Sequence, residues 1–192
     1  MSSQAGSLLF HLCCAPCGGV PVRLLREEGF ALTGFWHNPN IHPREEWTRR
    51  RQGVEALAAD TGLPMIWRDA FEQALWLSRW DPGDAGRCAY CYETRMDAVA
   101  RTAAEQGAAA FSTSLLISPY QHHEAIRAAG ERAGARHGVA FLYRDFRPHY
   151  REGQNLARGK GWYMQKYCGC AQSWGESDHP KKPAYDFSPM HP

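Results

Sequence analysis

Short apolar runs alternate along the chain with longer stretches in which apolar residues recur three or four positions apart. The runs over 8–13, 30–37, 65–69, 109–117 and 139–146 read as strands, the first of them buried. A helical stretch opens at Gly18 and Gly19, carries Val20, Leu24 and Leu25, and ends at Gly29. A second starts at Pro43, puts Trp47, Val54 and Ala58 on one face and stops at Gly62. Residues 70–79 read as a short helix, and 81–84 as a loop. Residues 88–106 form a longer helix, with Tyr92, Met96, Val99 and Ala103 on one stripe and Gly107 as its stop. Ser118, Pro119 and Gln121 supply an N-cap, a first-turn proline and a third-position amide for a helix running to about His137. The stretch from 147 to 174 reads as irregular or short-helical. From Gly175 the chain is polar and proline-rich. Residues 1–174 are therefore expected to form a single domain and 175–192 a flexible tail.

Strands alternating with helices predict an α/β domain with a mostly parallel sheet of about five strands flanked by helices, followed by a cysteine-rich C-terminal segment. Ligands of such sheets gather at the carboxyl ends of the strands. That edge would collect Cys13, Cys14 and Cys17, then Asn38 to His42, Ser118 to Gln121, and Asp145.

Composition narrows the class. The chain has 192 residues, 44% hydrophobic and 22% charged, values of a soluble globular protein. No apolar run approaches the roughly 18 residues that cross a bilayer, so no membrane partner is expected. The first ten residues lack the basic and apolar regions of an export signal, which predicts a cytoplasmic, reducing setting. The net charge of +2 is too small to argue for nucleic acid by itself.

The seven cysteines change the picture. An odd number in a reducing compartment does not make a disulfide framework. They fall into three groups, Cys13, Cys14 and Cys17; Cys88 and Cys91; and Cys168 and Cys170. All seven are candidate metal ligands. Cys88 and Cys91 share one face at a helix start, where the helix terminus favours thiolate. Cys13 and Cys14 with Cys88 and Cys91 supply four ligands for zinc or for an iron–sulfur cluster. Adjacent extended residues point to opposite faces, so a cluster with separate corners suits Cys13 and Cys14 better than one zinc ion. Cys168 and Cys170 would close a small, strained disulfide ring suited to redox use, or bind a second metal.

Arg144, Arg147, Arg151, Arg158, Lys160 and Lys166 surround Trp162, Tyr163 and Tyr167, a composition that suits a nucleic-acid backbone and splayed bases. Arg44, Arg49, Arg50 and Arg51 would extend that surface. With Arg147, Arg151 and Lys166, the edge residues Asn38, Asn40, His42 and Tyr120 are the candidate RNA contacts. His11 is either a donor to a thiolate or a satisfied core histidine. Asp145 is a candidate proton donor or metal ligand, against an ion pair with Arg144 or Arg147.

Together the motifs resemble the QueH-type epoxyqueuosine reductases. The matching stretches are H-L-C-C-A-P-C over 11–17, N-P-N-I-H-P over 38–43, R-C-A-Y-C-Y over 87–92, L-L-I-S-P-Y-Q over 115–121, D-F-R over 145–147, R-E-G over 151–153 and Q-K-Y-C-G-C over 165–170. Ser112 and Ser114 depart from the pattern, which has threonines there. The resemblance implies a Rossmann-like fold of the HUP type. It implies reduction of an epoxide in a transfer-RNA anticodon base to the cyclopentene of queuosine, without cobalamin. It further implies a [4Fe-4S] cluster on Cys13, Cys14, Cys88 and Cys91, a redox pair or second mononuclear iron at Cys168 and Cys170, and Cys17 at either centre. The partners would be transfer RNA and an electron donor of ferredoxin or flavodoxin type. The rival readings are an ATP-using RNA sulfur transferase of PP-loop type and a zinc-stabilised RNA-binding module.

Overall fold

The computed structural model describes residues 6–81, 84 and 86–187. The turn expected at Pro82 and Gly83 lies outside them. Five strands form one sheet, β1 (Ser7–His11), β2 (Ala31–Trp36), β3 (Met65–Trp67), β4 (Ala110–Thr113) and β5 (Ala140–Phe141), in the order β3-β2-β1-β4-β5. Every pairing is parallel. The apolar run of β1 is explained by its central place: Leu8, Leu9, Phe10 and His11 are buried on both faces.

The main helices are α1 (Ala15–Glu27), α2 (Arg44–Thr61), α3 (Gln73–Arg79), α4 (Gly86–Glu105), α5 (His123–His137), α6 (Tyr150–Lys160) and α7 (Ala171–Gly175). α1 packs on α2 and α6, and α4 packs on α5 and against β1 and β4, so helices form two groups around the sheet. Phe10, Phe35, Phe111, Trp36 and Met96 are completely buried between these layers. No helix among the described residues is long and apolar enough to cross a membrane.

The strand order reverses between β1 and β4, and the chain leaves both strands into tight turns there. β4 ends at Thr113, whose hydroxyl accepts from the Leu115 amide and starts a 3-10 turn over Ser114–Ile117. With β4 ended, the fifth strand has little ladder to join. It is two residues long rather than the eight expected over 139–146. The helix expected from Ser118 begins at His123; Ser118 instead accepts from the Tyr120 amide and its carbonyl from the Gln121 amide, closing a separate turn. The helix expected from residue 70 begins at Gln73.

The stretch 176–187, expected as a loose tail, lies along the body. Lys182 Nζ donates to the carbonyls of Trp174 and Ser177, Tyr185 donates to Glu46, and Phe187 meets the Trp174 ring.

Candidate metal and redox site

The site is built at the switch in strand order. The chain bends at Cys13, just past β1, and Cys14 is the N-cap residue of α1. Cys17 follows in the first turn of that helix. The Cys13 amide donates to Ser114 Oγ at 3.1 Å, and that hydroxyl donates on to Cys13 Sγ at 3.3 Å, tying the end of β1 to the turn after β4. Because of the bend, Cys13 and Cys14 do not point to opposite faces as an extended strand would have them. Their sulfurs lie 3.7 Å apart, and with Cys17 all three fall within 4.8 Å of one another. Adjacency alone therefore does not choose between one ion and a cluster.

The three thiols are buried. Contacts with the Cys14 and Cys17 thiols, and the Ser114 hydroxyl donating to its sulfur, hold the Cys13 thiol well below its ordinary range. Burial, then the neighbouring Cys13 sulfur, raises the Cys14 thiol, and the Cys13 and Cys14 sulfurs, then burial, raise the Cys17 thiol. Gln165 Nε2 donates to Cys14 Sγ at 3.0 Å, and its oxygen has no partner.

Cys88 and Cys91 come from the first turns of α4. Burial wins over the helix terminus there and pushes the Cys91 thiol up to about 12. One turn on, Arg95 donates to Cys91 Sγ at 2.6 Å and to Asn38 Oδ1 at 3.5 Å, while Asn38 Nδ2 donates to the Leu12 carbonyl at 2.9 Å. Through Arg95 and Asn38 the middle of α4 is pinned to the end of β1. The Arg95 charge also acts on Cys13 and Cys168.

The third pair arrives on a loop held by α2. Buried Arg50 pairs with Glu46 at 2.7 Å and donates to the carbonyls of Tyr167 and Cys168. Gly169 has φ +150, a backbone few other residues adopt, and a Cβ there would stand 3.3 Å from Ile41 and 3.4 Å from Arg50. Cys168 is exposed and accepts from Gln121 Nε2 at 3.2 Å; Cys170 is buried as the N-cap residue of α7. Tyr92 donates to the other end of that same Gln121 amide.

Several expected residues take other roles. Asn38, Asn40 and His42 are buried and build the turn after β2, so they are not available to RNA. His11 bonds Thr113 and the His37 carbonyl, and burial lowers it to about 3: it is a satisfied, neutral core histidine. Arg147 donates three hydrogen bonds to Asp145 and holds that carboxyl down at about 2, which makes Asp145 a poor proton donor at neutral pH. Trp162 and Tyr167 are buried, Tyr163 donates to Glu46, and Arg50 is inside, so that segment is less of a free surface than its composition promised. Lys166 is half-buried, while Arg151 and Tyr120 are exposed.

The donor set fits an anionic, sulfur-ligated group. Buried cysteines, an amide donating to a sulfur, and a buried guanidinium that donates to a sulfur and has no carboxylate partner among the described residues are what such a group needs. Among the described residues Cys13, Cys14 and Cys17 form the single close-packed set of potential ligands, and a separate second iron finds no support. Arg95 and Gln165 have no role in the sequence reading; Gln121 lies at the expected edge, and Arg50, expected on the RNA surface, is buried against the Cys168 loop. The four-residue spacing from Cys91 to Arg95 was the available signal, since it places both on one helix face.

Fold and site thus define a Rossmann-like α/β protein with a buried thiol centre at its strand-order switch. The family model for the epoxyqueuosine reductase QueH matches residues 8–176. The epoxyqueuosine reductase QueH of Dehalococcoides mccartyi is 35% identical over 170 residues, covering 88% of this chain and 93% of that protein. That of Haemophilus influenzae is 30% identical over 180 residues, covering 89% and 73%. The chain belongs to the QueH epoxyqueuosine reductase family. Among solved structures, the U34-tRNA thiolase NcsA of Methanococcus maripaludis, with its [4Fe-4S] cluster, superposes with a TM-score of 0.57 at 15% identity. The match covers 89% of this chain and 62% of the thiolase, and it shows a shared fold.

Proposed function

We propose that this protein reduces epoxyqueuosine in a transfer-RNA anticodon to queuosine. Two electrons and two protons enter, both carbon–oxygen bonds of the epoxide break, and the oxygen leaves as water. The observation that supports this reading is the buried Arg95 guanidinium, which donates to Cys91 and whose charge acts on Cys13 and Cys168, one cysteine from each of three segments, in a chain of the QueH family.

Cys13, Cys14, Cys88 and Cys91 would hold a [4Fe-4S] cluster, with Cys17 beside Cys13 and Cys14. When bound, the cluster supplies single electrons, drawn from an external donor of ferredoxin or flavodoxin type. Cys168 is exposed, and with Cys170 it would form the thiol pair able to hold two electrons. Burial keeps the phenols of Tyr92 and Tyr150 protonated, so they carry protons beside the sulfurs where Asp145 does not. Tyr120 is 79% exposed and stands edge-on to Tyr150, whose hydroxyl in turn feels Cys17 and Cys14. That ring would stack a splayed base, with Arg151 and Lys166 toward the backbone phosphates.

The test is anaerobic reconstitution with iron and sulfide, followed by assay on epoxide-bearing transfer RNA with a chemical reductant and no ATP. Queuosine should form. A fully loaded protein that leaves the epoxide intact overturns the proposal. A requirement for ATP would favour sulfur transfer, and zinc without acid-labile sulfide would favour an RNA-binding module.

A further inference from the structure

We propose that Arg95 is a positioning residue that sets the electrical balance of the thiol centre, compensating the charge of its sulfur-ligated group and raising that group's reduction potential. The inference rests on the cluster reading above and deepens it. Arg95 lies in the middle of α4 and is 3% exposed. Its polar contacts are the Cys91 carbonyl, Cys91 Sγ and Asn38 Oδ1. Arg50, the other arginine buried at the site, has Glu46 against it, whereas no carboxylate stands at ion-pair distance from Arg95 among the described residues. A guanidinium shut away from water without a counter-charge is strongly destabilising, and the groups facing Arg95 that can carry negative charge are sulfurs.

Geometry supports a fixed charge rather than a mobile one. The fork is held on one side by the Asn38 amide oxygen, and Asn38 is itself tied to the Leu12 carbonyl. The guanidinium therefore faces Cys91 directly and acts on Cys13 and Cys168, one cysteine from each of the three segments. Adding an electron to a thiolate-ligated centre adds negative charge, so a nearby buried cation favours the reduced form, and a low dielectric strengthens the effect.

R95Q, R95K and wild type would be reconstituted anaerobically and compared by iron and acid-labile sulfide content and by a midpoint titration followed by electron paramagnetic resonance. R95K should load and titrate near wild type. R95Q should shift the reduction equilibrium at least tenfold toward the oxidised form, about 59 mV for one electron, or lose iron and sulfide while R95K keeps them. R95M keeps an apolar stem in a dry setting and reads the same quantity where R95Q does not fold. A loaded R95Q with an unchanged midpoint overturns the inference. So does loss of the cluster in R95K together with R95Q, which would assign the role to the shape of the fork rather than to its charge. A wild-type protein that takes up no iron and sulfide overturns the reading of the site itself, a separate result.

Discussion

At the scale of single residues, the site depends on small polar groups placed between sulfurs and backbone. Ser114 is the clearest case, since one hydroxyl serves both the Cys13 amide and the Cys13 sulfur. Ser114→Ala should lower stability by about 1–3 kcal/mol, because the buried amide loses its acceptor; urea unfolding reads the loss, and Ser114→Thr should restore most of it. The buried histidines give the protein an acid-sensitive fold. Burial lowers His42 and His37 to about 4, below the ordinary 6.5 that the unfolded chain keeps. Between those values the unfolded chain binds more protons, so this stability is whole above about pH 6.5 and is lost as pH falls toward 4. Each such proton contributes a slope of about 1.4 kcal/mol per pH unit. His42→Gln should flatten the dependence of the urea midpoint by about one proton over this range.

At the scale of elements, the differences between expectation and structure have one cause: contacts that do not show as bulky apolar periodicity. α6 lies in the stretch that reads as irregular or short-helical, and its extent was not legible because the residues it buries, Gly153 and Ala157, are small, allow close approach to α1 and leave little hydrophobic signal. A Cβ at Gly153 would lie 2.8 Å from the Pro16 carbonyl oxygen, inside the turn between Cys14 and Cys17. Gly153→Ala should therefore destabilise by about 1–3 kcal/mol and loosen that turn. Thermal unfolding reads the first effect, and the alkylation rate of Cys14 and Cys17 by iodoacetamide, expected to rise, reads the second. The short β5 follows the same logic, since an apolar run becomes strand only where a neighbour still offers a ladder, and β4 has already turned away at Thr113.

At the scale of the whole molecule, the weak net charge of +2 proves uninformative because much of the basic surface is internally paired. Arg144 pairs with Glu28, Arg147 with Asp145 and Lys160 with Asp60. RNA affinity is thus expected to come from few contacts. Tyr120→Ala should weaken binding of a transfer-RNA anticodon stem-loop by about 1–3 kcal/mol at an unchanged salt slope, as loss of a stacking ring does. Arg151→Ala should reduce the slope of log affinity against log salt by about 0.7–0.9, as loss of one phosphate contact does. Fluorescence anisotropy across a salt series separates the two, and equal salt slopes in both variants would remove Arg151 from the interface.

The sequence by itself determined the alternation of strands and helices, the mostly parallel sheet and the place of Cys13, Cys14 and Cys17 at its carboxyl edge, because periodicity and turn chemistry are local properties. It also carried the family, through motifs spread in order along the chain. Only the tertiary structure decided what those edge residues do. Burial turned Asn38 and His42 from candidate RNA contacts into scaffold, a bend at Cys13 brought adjacent sulfurs together, and packing placed Arg95 against Cys91 without a carboxylate. Exposure, sulfur geometry and charge pairing depend on neighbours distant along the chain, and spacing along one segment does not encode them.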